Sequence, residues 1–245
     1  MRCATRSVII APMAEEYRDY SIIDREEISP STVILRLLPR AGERSSFIPG
    51  QFVNVLLPGY GSDAKSYSIL STPADRGLSL SVRMAGPFSR TLGGCRPGEE
   101  LQVSEPYGYF YPPDNTTPRV CIAGGIGIVP FASFIRTSIE EKYSPPTLLL
   151  HSSRTVIEAV FRDLFVTLAA QDESFAAHYF ITRERKTLPD AHETRITPAH
   201  LSETLSRFPL CNFFLCGSIE FVRDMRLSLK SLDVPEERIF TESFY

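Results

Sequence analysis

The sequence predicts two domains in series: an antiparallel β-barrel, then a doubly wound α/β domain built on a parallel sheet. Three observations carry this expectation. Before Pro112 the apolar segments are short and broken by Gly/Pro turns, the pattern of a barrel. After Pro118 apolar strands alternate with helical patterns, the mark of a parallel sheet covered by helices. Between them Pro112 to Pro118 is polar and proline-rich and reads as the linker. The boundary therefore falls between residues 114 and 115, with residues 1–19 as an N-terminal extension. A chain of 245 residues can bury two such cores.

In the first half, Thr32 to Leu38 is β-branched and apolar and stops at Pro39. Gln51 to Leu57 alternates after the turn at Pro49-Gly50. Leu78 to Met84 alternates strictly, which puts Leu78, Leu80, Val82 and Met84 on one face. Leu101 to Val103 follows the turn at Pro97-Gly98. In the second half the candidate strands are Val120–Ala123, Thr147–His151, Ala177–Thr182, Asn212–Cys216 and Arg238–Thr241. Thr197 as N-cap and Pro198 at the first helical position open a helix with Leu201, Leu205 and Phe208 on one face. A further helix runs from Ser218 past Phe221, Val222, Met225 and Leu229.

A net charge of −3 leaves no overall basic surface, so nucleic acid is not expected as a partner. No apolar run approaches the roughly 20 residues of a membrane helix. Arg2 precedes only a brief apolar stretch, Val8 to Ile10, without the features of a secretory signal. The cysteines (Cys3, Cys95, Cys121, Cys211, Cys216) are odd in number and scattered, which suits reduced thiols in the cytoplasm. Cys211 and Cys216 match the first spacing of a plant-type iron–sulfur site, but Ile219 stands where the next cysteine belongs. No metal is expected.

Three segments carry chemistry. Residues 120 to 130, Val-Cys-Ile-Ala-Gly-Gly-Ile-Gly-Ile-Val-Pro, run from an apolar strand through glycines into a helix near Pro130. Gly125 and Gly127 would let the backbone approach a diphosphate, and the helix N-terminus offers free N–H groups and a positive dipole end. Pro130 stands at the third position of G-x-G-x-x-G, so this is not the ordinary dehydrogenase fingerprint, and a plain tight turn would also fit. Lys65-Ser66-Tyr67-Ser68 sets a cation, a ring and a hydroxyl in an extended segment, suited to a phosphate and a flat cofactor or to an ordinary strand. The tail Glu242-Ser243-Phe244-Tyr245 is either a terminal strand packed on the core or an aromatic lid over a cofactor.

In order and spacing these segments resemble the ferredoxin–NADP reductase family, from about Tyr20 to the C-terminus. The family's R-x-Y-S flavin motif is matched by Lys65 to Ser68, and its second flavin segment by Gly86-Pro87-Phe88-Ser89, with Val82 counted beside them. Its G-G-x-G-x-x-P nucleotide motif is Gly124 to Pro130, including Gly125 and Gly127. Its strand-end Cys-Gly is Cys216-Gly217, and its E-x-aromatic is Glu242-Ser243-Phe244. The resemblance implies a six-stranded antiparallel flavin-binding barrel, a doubly wound NAD(P)-binding domain and an NAD(P)H-dependent flavin oxidoreductase. It also implies a catalytic set: Ser68 bonding near flavin N5, Cys216 shaping the nicotinamide site, and Glu242 relaying a proton or polarising Ser68.

Two departures matter. Lys65 replaces the expected arginine, leaving a point charge where a bidentate fork would sit. Tyr245 lies one residue past the usual terminal aromatic, so Phe244 or Tyr245 covers the flavin, and the pattern favours Phe244. Pro106-Tyr107-Gly108-Tyr109-Phe110 resembles the FAD-dependent members, which favours FAD over FMN. His151-Ser152-Ser153-Arg154 lacks the acid that would accept an NADH ribose hydroxyl. Arg154, together with Arg183 in a segment similar to the family's S-R-E, favours NADPH over NADH, although loop arginines are also often merely solvated. Oxygenase reductases of the family continue past this point into a [2Fe–2S] ferredoxin domain. The expected acceptor here is therefore a separate ferredoxin, flavodoxin or oxygenase component. The alternatives are an FAD-holding electron-transfer subunit and a free flavin reductase or diaphorase.

Overall fold

Period-two alternation turns the first half into strands whose apolar faces meet inside a barrel. The computed structural model describes residues 16–184 and 191–244. Its first sheet holds β1 (Tyr17–Ser29), β2 (Thr32–Pro39), β3 (Phe52–Leu56), β4 (Lys65–Ser68), β5 (Leu78–Arg83) and β6 (Glu100–Ser104). The order is β4-β3-β6-β1-β2-β5, with antiparallel pairing throughout. The sheet closes where the chain leaving β4 meets β5, through an Ile69–Leu80 bridge and donation from Leu70 N–H to the Ser79 carbonyl at 2.8 Å. Val33, Leu35, Leu37, Val53, Val55, Leu80, Val82 and Val103 are fully buried in its core. A helix absent from the sequence expectations, α1 (Pro87–Gly94), adds Phe88 and Leu92 to that core.

Strand β1 was also hidden in the sequence. Its exposed positions are charged apart from Ile23, only Tyr20, Ile22 and Ser29 are buried, and two irregularities against β2 break the alternation. The expected N-terminal extension is accordingly shortened: Tyr17, Arg18 and Asp19 pair with Ser104, Val103 and Gln102 of β6.

The second half forms β7 (Arg119–Gly124), β8 (Thr147–Ser153), β9 (Phe175–Ile181), β10 (Ala191–His192), β11 (Asn212–Ser218) and β12 (Ile239–Phe244). They make one parallel sheet in the order β10-β9-β8-β7-β11-β12. Between them run α2 (Val129–Glu140), α3 (Arg162–Gln171), α4 (Pro198–Arg207) and α5 (Ile219–Lys230). The start of α4 is closed locally, with Thr197 N–H donating to His200 Nδ1 at 3.0 Å. The two domains share a core: Phe110, on the connecting segment, lies 5.7 Å from Phe131 and 5.8 Å from Phe214, ring centre to ring centre. Ser133 Oγ also donates to the buried Ser71 carbonyl at 2.7 Å, tying α2 to the barrel side. Among the described residues no helix is long and apolar enough to cross a membrane.

Candidate active site at the domain cleft

The parallel sheet grows in one direction from β7 through β8 and β9, and in the other from β11 to β12. Its order therefore reverses between β7 and β11, and in open α/β sheets ligands sit beyond the strand ends at such a point. A cleft of about 1110 Å³ opens there between the sheet and the barrel. Gly124 ends β7, Gly125 follows at φ +55°, in the left-handed region that favours glycine, and a 3₁₀ turn over Gly125–Ile128 leads into α2. Gly124 and Gly125 face the cleft. Gly127 does not: a β-carbon there would lie 2.3 Å from the Cys216 carbonyl oxygen, so its lack of a side chain lets the two strand-end loops touch. Gly217 packs against Gly124 and the Phe221 ring, and Pro130 is buried in the first turn of α2.

The opposite wall comes from the barrel. Ser68, at the end of β4, is buried, and its Oγ makes no well-formed hydrogen bond among the described residues, although the Glu242 carboxyl stands near it. Lys65 is exposed and ion-paired with Asp63 at 2.7 Å, while Ser66 donates to Asn54 Oδ1 at 2.7 Å. Tyr67 packs on the barrel core, where burial pushes its hydroxyl pKa upward. Gly86 lies just before α1, and Ser89 Oγ accepts from the N–H groups of Ala85 and Gly86 at 3.1 and 3.0 Å. The Ser89 hydroxyl thus shapes the turn, leaving the first-turn N–H groups of α1 to meet an anion. Phe88, expected as a cofactor contact, lines the cleft while most of its ring is buried, with Tyr60 edge-on at 5.0 Å. The Val82 side chain points into the barrel core because the alternation of β5 sends its even positions inward; the next residue, Arg83, lines the cleft instead.

The tail supplies the third wall. Pairing of β12 with β11 sets Glu242 beside Cys216, Ser243 beside Gly217 and Phe244 beside Ser218. Phe244 lines the cleft half-buried, and Tyr245 lies outside the described residues. Burial pushes the Glu242 carboxyl up to about 7, and the nearby Ser68 hydroxyl offsets this only in part. Glu242 Oε2 is buried without a well-formed hydrogen bond, so the two groups stand close with unused bonding capacity. Cys216 is fully buried, and burial followed by the Glu242 charge holds it as a thiol. Ser68, Cys216 and Glu242, from three distant segments, thus meet at the domain interface.

Arg154 and Arg183 line the same cleft beyond β8 and β9, and Arg183 N–H donates to the Arg154 carbonyl at 2.8 Å. The Glu184 carboxylate accepts from Val156 N–H at 2.8 Å and so closes this pair of loops; Arg185 lies outside the described residues. Behind the glycine turn, His151 is fully buried with Nε2 3.0 Å from the Gly125 carbonyl oxygen. Burial pushes its pKa down to about 4, so the ring is neutral at ordinary pH.

Two family models divide the chain at this cleft: an oxidoreductase FAD-binding domain over residues 19–111 and an oxidoreductase NAD-binding domain over residues 121–227. The chain is an oxidoreductase with an FAD-binding and an NAD-binding domain. It is 25% identical to a flavohemoprotein of Halalkalibacterium halodurans over 94% of its length, and 26% identical to the reductase component of propane 2-monooxygenase of Mycolicibacterium smegmatis over 89%. It spans 60% of the first of these proteins and 66% of the second. A solved ferredoxin NADP+ reductase from Neisseria gonorrhoeae with bound FAD and NADP shares the fold, at a TM-score of 0.80 and 21% identity over 94% of this chain and 99% of that one.

The cleft suits FAD and a nicotinamide nucleotide. The Ser68 and Glu242 atoms left without partners, the open Gly124-Gly125 backbone and the start of α1 are the bonding groups such cofactors need. The residue-by-residue expectations missed Arg83 and Arg195, both of which line the cleft. Among the described residues neither has an ion-pair partner, and the Arg83 guanidinium reaches toward Gly125. Arg83 follows directly from the alternation that places Val82, so the signal was present in β5. Arg195 sits on the connection between β10 and α4, and nothing in its local sequence distinguishes it.

Proposed function

We propose that this reductase takes electrons from NADPH through bound FAD to a separate redox protein, a ferredoxin, a flavodoxin or an oxygenase component. The observation that carries the reading is the meeting of Ser68, Glu242 and Cys216 beside the glycine turn at the sheet's switch point. When bound, FAD supplies the hydride-accepting and electron-releasing chemistry, and the protein supplies position and electrostatics. Lys65, Ser66, Tyr67, Ser68, Gly86 and Ser89 hold the flavin side of the cleft, and Phe244 covers it. Gly124 and Gly125 hold the nucleotide diphosphate, with Arg83 opposite. Ser68 offers a hydroxyl to the reacting edge, and Glu242, poised near neutrality, holds a proton next to it. Cys216, fully buried and paired in register with Glu242, shapes the nicotinamide side from behind the cleft surface.

NADPH is favoured because Arg154 and Arg183, on hydrogen-bonded loops, line the cleft together with Arg195, and a dianionic phosphate would be held by several guanidinium groups. The chain's relatives include an oxygenase reductase component, which supports a protein acceptor. The described cysteines are all unpaired, in keeping with a cytoplasmic setting. One observation favours a second reading, a reductase that releases its flavin: Lys65 is already neutralised by Asp63 at 2.7 Å, which weakens its hold on a phosphate. An anaerobic absorbance titration tests both. Flavin that stays with the protein through gel filtration and bleaches with NADPH in preference to NADH is the expected result. Flavin that elutes free favours the second reading, and bound flavin left oxidised by both nucleotides refutes the reductase assignment.

A further inference from the structure

We propose that His151 is a positioning residue that sets the nucleotide-binding turn, by locking the Gly125–Ile126 peptide with its N–H toward the cleft. The inference rests on the reading that this turn holds the nucleotide diphosphate. The Gly125 carbonyl is turned inward, with its oxygen 3.0 Å from His151 Nε2. A carbonyl can only accept, so Nε2 carries the ring proton and donates it. In a planar trans peptide the N–H of the next residue points opposite to that carbonyl. Holding the Gly125 oxygen against the sheet therefore sends the Ile126 N–H outward, and Gly125 and Ile126 both line the cleft. The 3₁₀ turn over Gly125–Ile128 directs the same carbonyl, and the His151 donor adds a second hold on it at a glycine whose φ of +55° leaves no side chain to help.

The surroundings hold the ring in that role. His151 is fully buried on β8, paired in register with Ala123 on one side and Tyr179 on the other. The Tyr179 ring stands edge-on at 6.0 Å, and Ser153 Oγ lies 3.3 Å from the same Nε2. Nδ1 is buried without a partner among the described residues, which fits a bare lone pair on a neutral ring. Burial depresses the ring's pKa, so the imidazole remains a one-proton donor across the ordinary pH range. An imidazolium would gain a second buried N–H with no acceptor.

The experiment compares FAD-loaded wild type, His151→Phe and His151→Gln for NADP+ affinity and for flavin reduction by NADPH. Phe fills the space without a donor, and Gln carries an amide N–H at about the reach of Nε2. The expected result is ~tenfold weaker NADP+ binding and a raised KM in His151→Phe, with flavin content and the reduction rate at saturating NADPH within about twofold of wild type. His151→Gln should recover most of the affinity. Wild-type affinity in His151→Phe, or no recovery with Gln, overturns the proposal. Should His151→Phe not fold, the ring tautomer of wild type decides by nitrogen-detected NMR: a proton on Nε2 is required, and one on Nδ1 refutes the role. Wild type that takes up no nucleotide would instead overturn the functional reading beneath it.

Discussion

The raised pKa of Glu242 makes replacement of this one side chain a pH-dependent stability change. Its carboxyl titrates near 7 in the folded protein against an ordinary value of 4.5. The folded state thus keeps a proton that the unfolded chain has released, and the associated stability is full below pH 4.5 and is lost as pH rises through 7. A gap of this size corresponds to about 3 kcal/mol at 1.36 kcal/mol per pKa unit. Glu242→Gln keeps the shape and removes the titration. Between pH 5 and pH 8 the wild type should lose about 2 kcal/mol relative to the variant, since part of the loss has already occurred by pH 5. For a chain of this size that is roughly 4–8 °C of melting temperature. Melting both proteins, FAD-loaded, at the two pH values isolates the effect, because every other group cancels in the difference. The variant should gain on the wild type as pH rises, and the inflection near 7 in the rate of flavin reduction should disappear. A gap in melting temperature that does not change with pH would refute the argument that Glu242 is buried and protonated.

Ser68→Ala should slow flavin reduction about tenfold or more in stopped-flow traces while the flavin is retained, because the hydroxyl is needed at the reacting edge rather than for binding. Unchanged kinetics would remove Ser68 from the site. Arg154→Ala and Arg183→Ala should each raise KM for NADPH about tenfold and leave KM for NADH nearly unchanged, the loss expected for a charge-assisted hydrogen bond. An equal rise for both nucleotides would count against a 2′-phosphate contact. Gly127→Ala places a β-carbon 2.3 Å from the Cys216 carbonyl oxygen, so the loops must separate. A cost of about 1–3 kcal/mol in stability and weakened nucleotide binding should follow, and an unchanged melting temperature would show that the contact yields freely.

Much of this architecture was legible because its causes are local. The alternation of Leu78, Leu80 and Val82 states which face of β5 is buried, and the same rule, followed one residue further, places Arg83 in the cleft. The apolar strand running into Gly124-Gly125 marks the turn before any fold is known, because few other residues accept φ +55°. Thr197-Pro198 announces α4 by capping chemistry alone. Strand β1 stayed hidden because its outer face is charged and its bulges break the period, so pairing with β2 and β6 made it a strand. The start of α1 stood out only as a flavin-binding segment, Gly86 to Ser89, and not as a helix, since Pro87 and three glycines in and around it give little helix propensity.

Residue types and their order along the chain determined by themselves that there would be a barrel, a parallel sheet and a glycine turn between a strand and a helix. Only the tertiary structure decided which of those residues share a site. Register alone sets Glu242 beside Cys216, and docking of the two domains alone brings Ser68 to them. The raised Glu242 pKa exists only because that docking removes water from the carboxyl. His151 reads in the sequence as one more strand residue; its bond to the Gly125 oxygen requires β8 to lie beside β7 in a particular register. Local preferences act over a few residues, whereas burial, pKa and hydrogen-bond partnership depend on groups that are distant in the chain and adjacent only in the folded molecule.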